Sequence, residues 1–271
     1  MLNTILDSKL DSFVISTGNV LNVNKKAGQK PTEELIDCLA VTMTESIFNE
    51  KEKQLQRAHN ELAEKIDEHG RDDIKVGVKI FLNNDSVEYL NEAVIATLKV
   101  LNLECLDNVI LAYHPCSKSG HTANGVVDEA IKNDNFEWGA NNGDAINNLK
   151  ELWTHLEKFA KSKKICQLGI ADLDVDSLKE LHQSAVVPPS VAQINLSACC
   201  VVPPPLQQFC TANDIPLLTH SDPNVILPKD ALEKTLGLKD YDVAWTARYQ
   251  VHVKCRGLLI VKGFIVGAKR K

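Results

Sequence analysis

The sequence predicts an α/β protein of the (β/α)8 TIM-barrel class, and three observations carry this prediction. Short β-branched runs alternate with longer stretches of helical periodicity, which predicts parallel strands joined by helical crossovers. The chain of 271 residues is long enough for one such domain. Periodicity alone leaves an open doubly wound sheet as an alternative. No G-x-G-x-x-G turn follows the first strand, which favours the barrel.

Seven segments have the length and composition of strands, because they are short and rich in Val, Ile and other β-formers. They are residues 13–15, 76–82, 109–113, 165–170, 191–196, 215–219 and 251–254.

The segments between these strands have the apolar spacing of amphipathic helices. Residues 32–69 predict one or two long helices, with Thr32 as the N-cap and Gly70 at the end. The other predicted helices are 86–102, 144–164, 174–185 and 203–213. We predict a single domain over 1–271, with an extended N-terminal segment 1–30 and a mobile loop over 117–142.

Composition excludes several functional classes. A net charge of −6 without a basic stripe disfavours nucleic acid as a partner. No apolar run approaches the roughly 18 residues that a membrane span needs, so no membrane association is expected. Eight cysteines without secretory features or a C-x-x-C pair predict reduced thiols in the cytoplasm. We expect no zinc site and no other metal.

Six short motifs, in the same order along the chain, resemble those of the aldo-keto reductase family. The strand with Lys79 resembles the one bearing that family's catalytic lysine, and the strand ending at His114 resembles the one bearing its catalytic histidine. The remaining motifs are Q-L-G-I-A-D at 167–172, Q-I-N at 193–195, I-P-L-L-T-H-S-D-P at 215–223 and R-Y followed by V-K-C over 248–255. The resemblance implies an aldo-keto-reductase-type barrel with a shortened C-terminus.

The resemblance also implies a nucleotide pocket at the carboxyl ends of the strands, where such barrels place their sites. No cofactor is required by this interpretation, and NADPH is the cofactor that the pocket would take. Lys254 and Arg256 would then hold its 2′-phosphate. The candidate pocket residues are Lys79, His114, Asp172, Gln193, His220, Lys254 and Arg256.

Three departures from the family's pattern predict that this chain is not an enzyme. The reductase tetrad is incomplete, because no tyrosine occurs in residues 1–75 to donate a proton to the carbonyl. Asp172 replaces the asparagine that binds nicotinamide, and His220 replaces the tyrosine that stacks on it. The alternative is an active reductase that uses Tyr113 or His114 as an unconventional proton donor.

Over nearly its full length the chain is similar to the regulatory (modifier) subunits of glutamate–cysteine ligase. The most specific motif is N-L-S-A-C-C-V-V-P-P at 195–204, followed by L-L-T-H-S-D-P at 217–223 and V-K-C-R-G at 253–257. The resemblance implies a heterodimer with the catalytic ligase subunit. It further implies a higher affinity of that subunit for glutamate and relaxed feedback inhibition by glutathione.

Three thiols are candidates for redox contact with a partner. Strand alternation places one of Cys199 and Cys200 inward and the other outward. Burial as small apolar side chains is the alternative to the intersubunit disulfide that the resemblance suggests. Lys254 and Arg256 flank Cys255, and neighbouring cations make a thiol more reactive. The charged segment 49–71 is either a docking surface or a solvated helix face.

Overall fold

The computed structural model describes residues 10–23, 28–58, 61–115, 138–139, 143–196, 201–228 and 230–271. Within these ranges the strands are β1 (Ser12–Ser16), β2 (Ser46–Asn49), β3 (Gln54–Arg57), β4 (Ile74–Leu82), β5 (Leu106–Tyr113), β6 (Ile165–Ala171), β7 (Val191–Asn195), β8 (Leu217–His220), β9 (Tyr241–Val253) and β10 (Leu258–Arg270). The helices are α1 (Pro31–Thr44), α2 (Leu62–Asp67), α3 (Val87–Leu101), α4 (Gly143–Lys161), α5 (Val175–Ser184), α6 (Pro204–Ala212) and α7 (Ala231–Leu236).

All ten of these strands form one sheet, in the order β2-β3-β1-β10-β9-β4-β5-β6-β7-β8. The strands β4 to β8 are parallel neighbours in chain order, and each is followed by a helix. The α/β class and its barrel-type βα units are therefore confirmed, as are all seven predicted strands in their core positions.

The other half of the sheet departs from eight parallel strands. The hairpin of β9 and β10 enters between β1 and β4 and pairs antiparallel with both. Of this hairpin the sequence predicted only 251–254. Because β10 is buried on both faces over residues 263–268, it lacks the alternation that marks a half-buried strand.

The prediction of one or two helices over residues 32–69 was wrong for the middle of this range. Helix α1 ends at Thr44, and the hairpin of β2 and β3 follows before the short helix α2. Leu55 on β3 is fully buried beside β1, with which β3 pairs in parallel. This tertiary pairing overrides the local helical pattern. The helix also begins with Pro31 in its first turn and Lys30 at the N-cap, two residues ahead of the predicted N-cap Thr32.

Two apolar clusters lie on opposite faces of the sheet. Val78 and Ile80 belong to the cluster beneath helices α3 to α6, whereas Phe81 belongs to the one beneath α1 and α7. Because successive strand residues point to opposite faces, Lys79 shares the second face with Phe81. We call this second face, which α1 and α7 cover in part, the inner face.

Among the described helices, none combines the length and apolar character that crossing a bilayer requires. The predicted loop 117–142 lies outside the described residues except for Trp138 and Gly139.

Candidate functional site

The candidate site lies on the inner face, at the carboxyl ends of the parallel strands. Lys79 stands near the end of β4, and His114 and Asp172 directly follow β5 and β6. His220 is the last residue of β8, and Asp222 follows it by two positions. Carboxyl ends of neighbouring parallel strands meet at one edge of a sheet, which is why these distant residues converge.

Asp222 is the centre of a buried ionic group. One of its oxygens accepts a hydrogen bond from Lys79 Nζ at 2.9 Å, and Lys79 and Asp222 are each 4% exposed. Arg248 on β9 donates to both oxygens, at 2.5 Å from Nη1 and 2.8 Å from Nη2, the paired geometry that favours arginine for carboxylates. Burial alone would raise the pKa of Asp222, but the bonds from Arg248 and Lys79 lower it to about 2.

Asp172 is the centre of a second group, beside the first. Its Oδ1 accepts from His220 Nε2 and from the backbone N–H of Asn195, both at 2.9 Å. The N–H of Asp222 donates to His220 Nδ1 at 3.1 Å, so a neutral His220 carries its proton on Nε2. Asp172 sits at a φ of 67°, a left-handed conformation that turns its carboxylate toward these donors.

His114 completes this second group without a well-formed hydrogen bond. Its Nε2 lies 3.1 Å from Asp172 Oδ2, but the two are not aligned, and neither ring nitrogen has a hydrogen-bond partner among the described residues. Burial opposes ionisation of Asp172, yet the imidazoles of His114 and His220 hold the pKa of this carboxyl well below its usual range. The negative charges of Asp222 and Asp172 are therefore largely balanced by neighbouring side chains of the protein.

Lys254 and Arg256 do not join the other predicted pocket residues. They lie in the turn between β9 and β10, and Lys254 Nζ donates to the backbone oxygen of Asp72. Strand β9 runs antiparallel to β4, so Val253 pairs with Ile74 at the opposite end from the site. Five residues of strand separate this end from Arg248, roughly 16 Å. The predicted grouping is therefore corrected: Arg248 supplies the cation at the site.

Gln193 is the remaining predicted residue, and the structure places it on β7 beside Asp172. Its backbone oxygen accepts from the N–H of Asp172 at 2.8 Å, while its side-chain Oε1 is buried without a hydrogen-bond partner in the described part of the chain. The sequence interpretation assigned no role to Asp222 or Arg248, although both occur in the motifs it used. The sequence offered one signal for Asp222, which is its position two residues after the candidate His220. A pattern of neighbouring residues does not show which distant side chains such a carboxylate will contact.

The positions of all four tyrosines decide what proton chemistry the site can support. Tyr113 belongs to the apolar cluster beneath helices α3 to α6, and burial raises the pKa of its hydroxyl to about 12. The hydroxyl of Tyr249 donates to the backbone oxygen of Gly18, and that of Tyr241 donates to the oxygen of Leu10. Tyr89 is on α3, with the ammonium of Lys269 above its ring. None of these contacts involves Lys79, whose partner in carbonyl reduction would be a tyrosine hydroxyl.

The candidate thiols are only partly within the described residues. Cys199 and Cys200 lie outside them, whereas Cys255 is exposed in the turn between β9 and β10. Within the described ranges, no group of three or more potential ligands is arranged to hold a metal ion.

Comparison with known proteins shows the family. The model of the aldo/keto reductase family matches residues 35–222. The glutamate–cysteine ligase regulatory subunit of Rattus norvegicus is 34% identical over 282 residues, covering 97% of this chain and 95% of that protein. The Homo sapiens protein of the same description is 33% identical over 275 residues, covering 95% and 92%. The chain belongs to the glutamate–cysteine ligase regulatory subunits of the aldo/keto reductase family.

Similarity between this regulatory-subunit chain and solved reductases is weaker. An aldo-keto reductase of the silkworm Bombyx mori is 24% identical, with a TM-score of 0.42 over 59% of this chain and 43% of that one.

The family resemblance implies NADPH as a cofactor, and the structure separates the residues that were predicted to hold it. The cations expected at its 2′-phosphate, Lys254 and Arg256, lie at the far end of β9. At the nicotinamide position Asp172 presents a carboxylate whose Oδ1 is bonded to His220. The charged side chains of the site are thus paired with one another.

Proposed function

We propose that this chain is a regulatory subunit of glutamate–cysteine ligase that acts by binding the catalytic subunit and performs no catalysis of its own. The observation that carries this proposal is the bonding of Asp222 to both Lys79 and Arg248. Lys79 is thus paired with Asp222, whereas the hydroxyls of Tyr249 and Tyr241 are bonded to Gly18 and Leu10, so the contacts of Lys79 include no tyrosine that would donate the proton in carbonyl reduction. Similarity over 97% of the chain to a named regulatory subunit supports the same conclusion.

In this proposal, the chain and the catalytic subunit form a cytoplasmic heterodimer. Regulation of this kind is a difference in how the catalytic subunit binds its ligands with and without its partner. We propose that the bound state has a higher affinity for glutamate and a lower sensitivity to inhibition by glutathione. An intersubunit disulfide through Cys255, Cys199 or Cys200 would hold the two subunits together, and the exposure of Cys255 supports its candidacy.

The test is the glutamate dependence of γ-glutamylcysteine synthesis by the catalytic subunit, titrated with this chain. The apparent glutamate constant is expected to fall and to saturate near a one-to-one ratio of subunits, and inhibition by glutathione is expected to weaken. A variant in which Lys79, Asp222 and Arg248 are replaced by methionine, leucine and methionine removes the whole ionic group, keeps the site filled and leaves none of these three charges unpaired. If it folds, it should regulate as the wild type does, because the proposal gives these residues no chemical role. No change in either constant with folded wild-type protein would refute the proposal.

A residual reductase is the second candidate, because Lys79 and His114 remain on the inner face at adjacent strand ends. Its test is oxidation of NADPH with a panel of aliphatic and aromatic aldehydes. We expect no turnover above the rate without protein, and an unchanged result for His114→Gln. Turnover that disappears in His114→Gln would favour the reductase instead.

A further inference from the structure

Two cysteines that are 61 residues apart in the chain lie in contact at the opposite end of the sheet from the ionic groups. The Sγ atoms of Cys105 and Cys166 are 3.3 Å apart. Cys105 directly precedes β5 and Cys166 is the second residue of β6, and these strands are parallel neighbours. Both thiols are free.

We propose that Cys105 and Cys166 form a reversible intramolecular disulfide, with a low-molecular-weight disulfide such as glutathione disulfide as the oxidant. The proposal concerns the isolated chain and does not depend on the proposed function. The sulfurs must approach by about 1.2 Å to reach the bond length of about 2.05 Å. Cys105 directly precedes the β5 ladder, which begins at Leu106, so the adjustment need not break a pairing of β5 with β6.

The register of the two strands makes this disulfide a labile one. Leu106 pairs with Ile165, so Cys105 and Cys166 are offset by two positions along the strands and are not directly opposite. A disulfide between such positions is strained, and strained or exposed disulfides are more readily reduced than structural ones. The site is therefore suited to reversible oxidation and not to permanent stabilisation.

The surroundings of the pair allow a small disulfide to reach it. Cys166 is exposed, and Cys105 lines an open cavity of about 1120 Å³ whose edge includes Lys163 and Lys164. Glu104 also lines this cavity, so its charge is mixed. Glutathione disulfide carries four carboxylates and two ammonium groups, and the lysines offer contacts for the carboxylates.

The exchange proceeds in two balanced steps. The Cys166 thiolate attacks one sulfur of glutathione disulfide, which breaks its S–S bond, releases one glutathione and leaves a mixed disulfide on Cys166. Cys105 then loses its proton and attacks Cys166 Sγ, which expels the second glutathione. The protons of the two cysteines end on the two glutathione thiols, so two cysteines are oxidised and one disulfide is reduced to two thiols.

The order of the two steps follows from the environments of the thiols. Burial, together with the neighbouring Cys166 thiol, raises the pKa of Cys105 to about 11. Cys166 is the more exposed thiol, and we therefore assign to it the first attack on glutathione disulfide.

The test is incubation of the isolated chain with glutathione disulfide, alkylation of remaining thiols, and digestion with trypsin and chymotrypsin without reductant. Cleavage after Tyr113 separates Cys105 from Cys116, so a peptide within 100–113 joined to one within 165–179 identifies the pair. The linked species is expected in the wild type and in Cys255→Ser, and dithiothreitol should abolish it. It should fall at least about tenfold in Cys105→Ser and Cys166→Ser.

Two results would overturn the proposal. One is a wild-type chain in which Cys105 and Cys166 each carry glutathione or alkyl label and no linked peptide forms. The other is a wild-type chain in which the peptide with Cys105 is linked to a different cysteine, such as Cys210 or Cys255, and Cys166 carries the alkyl label. Circular dichroism of each variant verifies that the fold is retained.

Discussion

Lys79 on β4 lies directly opposite Arg248 on β9 in the antiparallel register, and Asp222 is bonded to both. Two cations facing each other across a strand pair repel when nothing lies between them. The carboxylate of Asp222 lies between the two cations, accepts hydrogen bonds from both and offsets their mutual repulsion. Lys79, Asp222 and Arg248 thus form one ion network within the candidate site.

Removing the central carboxylate should destabilise the fold. We expect Asp222→Asn to lower the free energy of unfolding by about 3 kcal/mol, because it leaves two largely buried cations without their counter-ion. Urea unfolding at pH 7 measures this change. The matched control is Asp176→Asn, at an exposed carboxylate, which should change stability by less than about 0.5 kcal/mol. Equal stability of Asp222→Asn and the wild type would contradict the prediction.

The same carboxylate predicts a loss of stability in acid. The pKa of Asp222 is about 2 in the folded chain, below its ordinary value of 3.8. Its stabilising contribution is therefore complete above about pH 4 and is lost as the pH falls through 2. The pKa difference corresponds to about 2 kcal/mol.

Urea unfolding of the wild type and Asp222→Asn between pH 5 and pH 2 checks this dependence. The stability difference between the two proteins should shrink as the pH falls. A difference that stays constant over this range would show that Asp222 does not titrate with folding.

Close packing of the hairpin predicts intolerance of a single methyl group. A Cβ added at Gly267 on β10 would overlap the indole of Trp245 on β9. We expect Gly267→Ala to lower the free energy of unfolding by about 2 kcal/mol, since overpacking forces the ring or strand to shift. Gly77→Ala on β4, where a Cβ meets open space, is the control and should not be destabilising. Similar thermal midpoints for the two variants would argue against this packing.

The exposed thiol of Cys255 predicts a measurable cross-link. In the proposed heterodimer, Cys255→Ser should reduce the disulfide-linked species on a non-reducing gel at least about threefold. Cys210→Ser, at a buried thiol, should leave it unchanged. A cross-link that survives in Cys255→Ser and disappears when Cys199 and Cys200 are both replaced would assign the contact to that pair.

Local sequence patterns were sufficient for the half of the sheet from β4 to β8. Each of these strands is a short β-branched run next to an amphipathic helix. The candidate residues lie on or directly after these strands, toward the carboxyl ends that meet at one edge of a parallel sheet. The grouping of Lys79, His114, Asp172 and His220 came from the resemblance to aldo-keto reductase motifs, and the structure brings these four together.

The remainder depended on pairings that local patterns do not encode. The partnership of Lys79 with Arg248 spans most of the chain and follows from the direction of β9. With that direction unknown, Lys254 and Arg256 appeared to be the nearer cations. The hairpin of β2 and β3 was missed for a similar reason, since its pairing with β1 is non-local.

The position of the β9–β10 hairpin has a consequence for how the protein is made. In the strand order, β1 meets β4 through residues 241–270, so two early segments become neighbours through a late one. A ribosome releases β1 and β4 long before their shared partner exists, and both present unpaired backbone in the interval. Joining of the two halves of the sheet therefore waits for residues 241–270 and depends on contacts between distant parts of the chain, which slows folding. Until residues 241–270 are synthesised, the edges of β1 and β4 that will pair with the hairpin stay open to pairing with other strands.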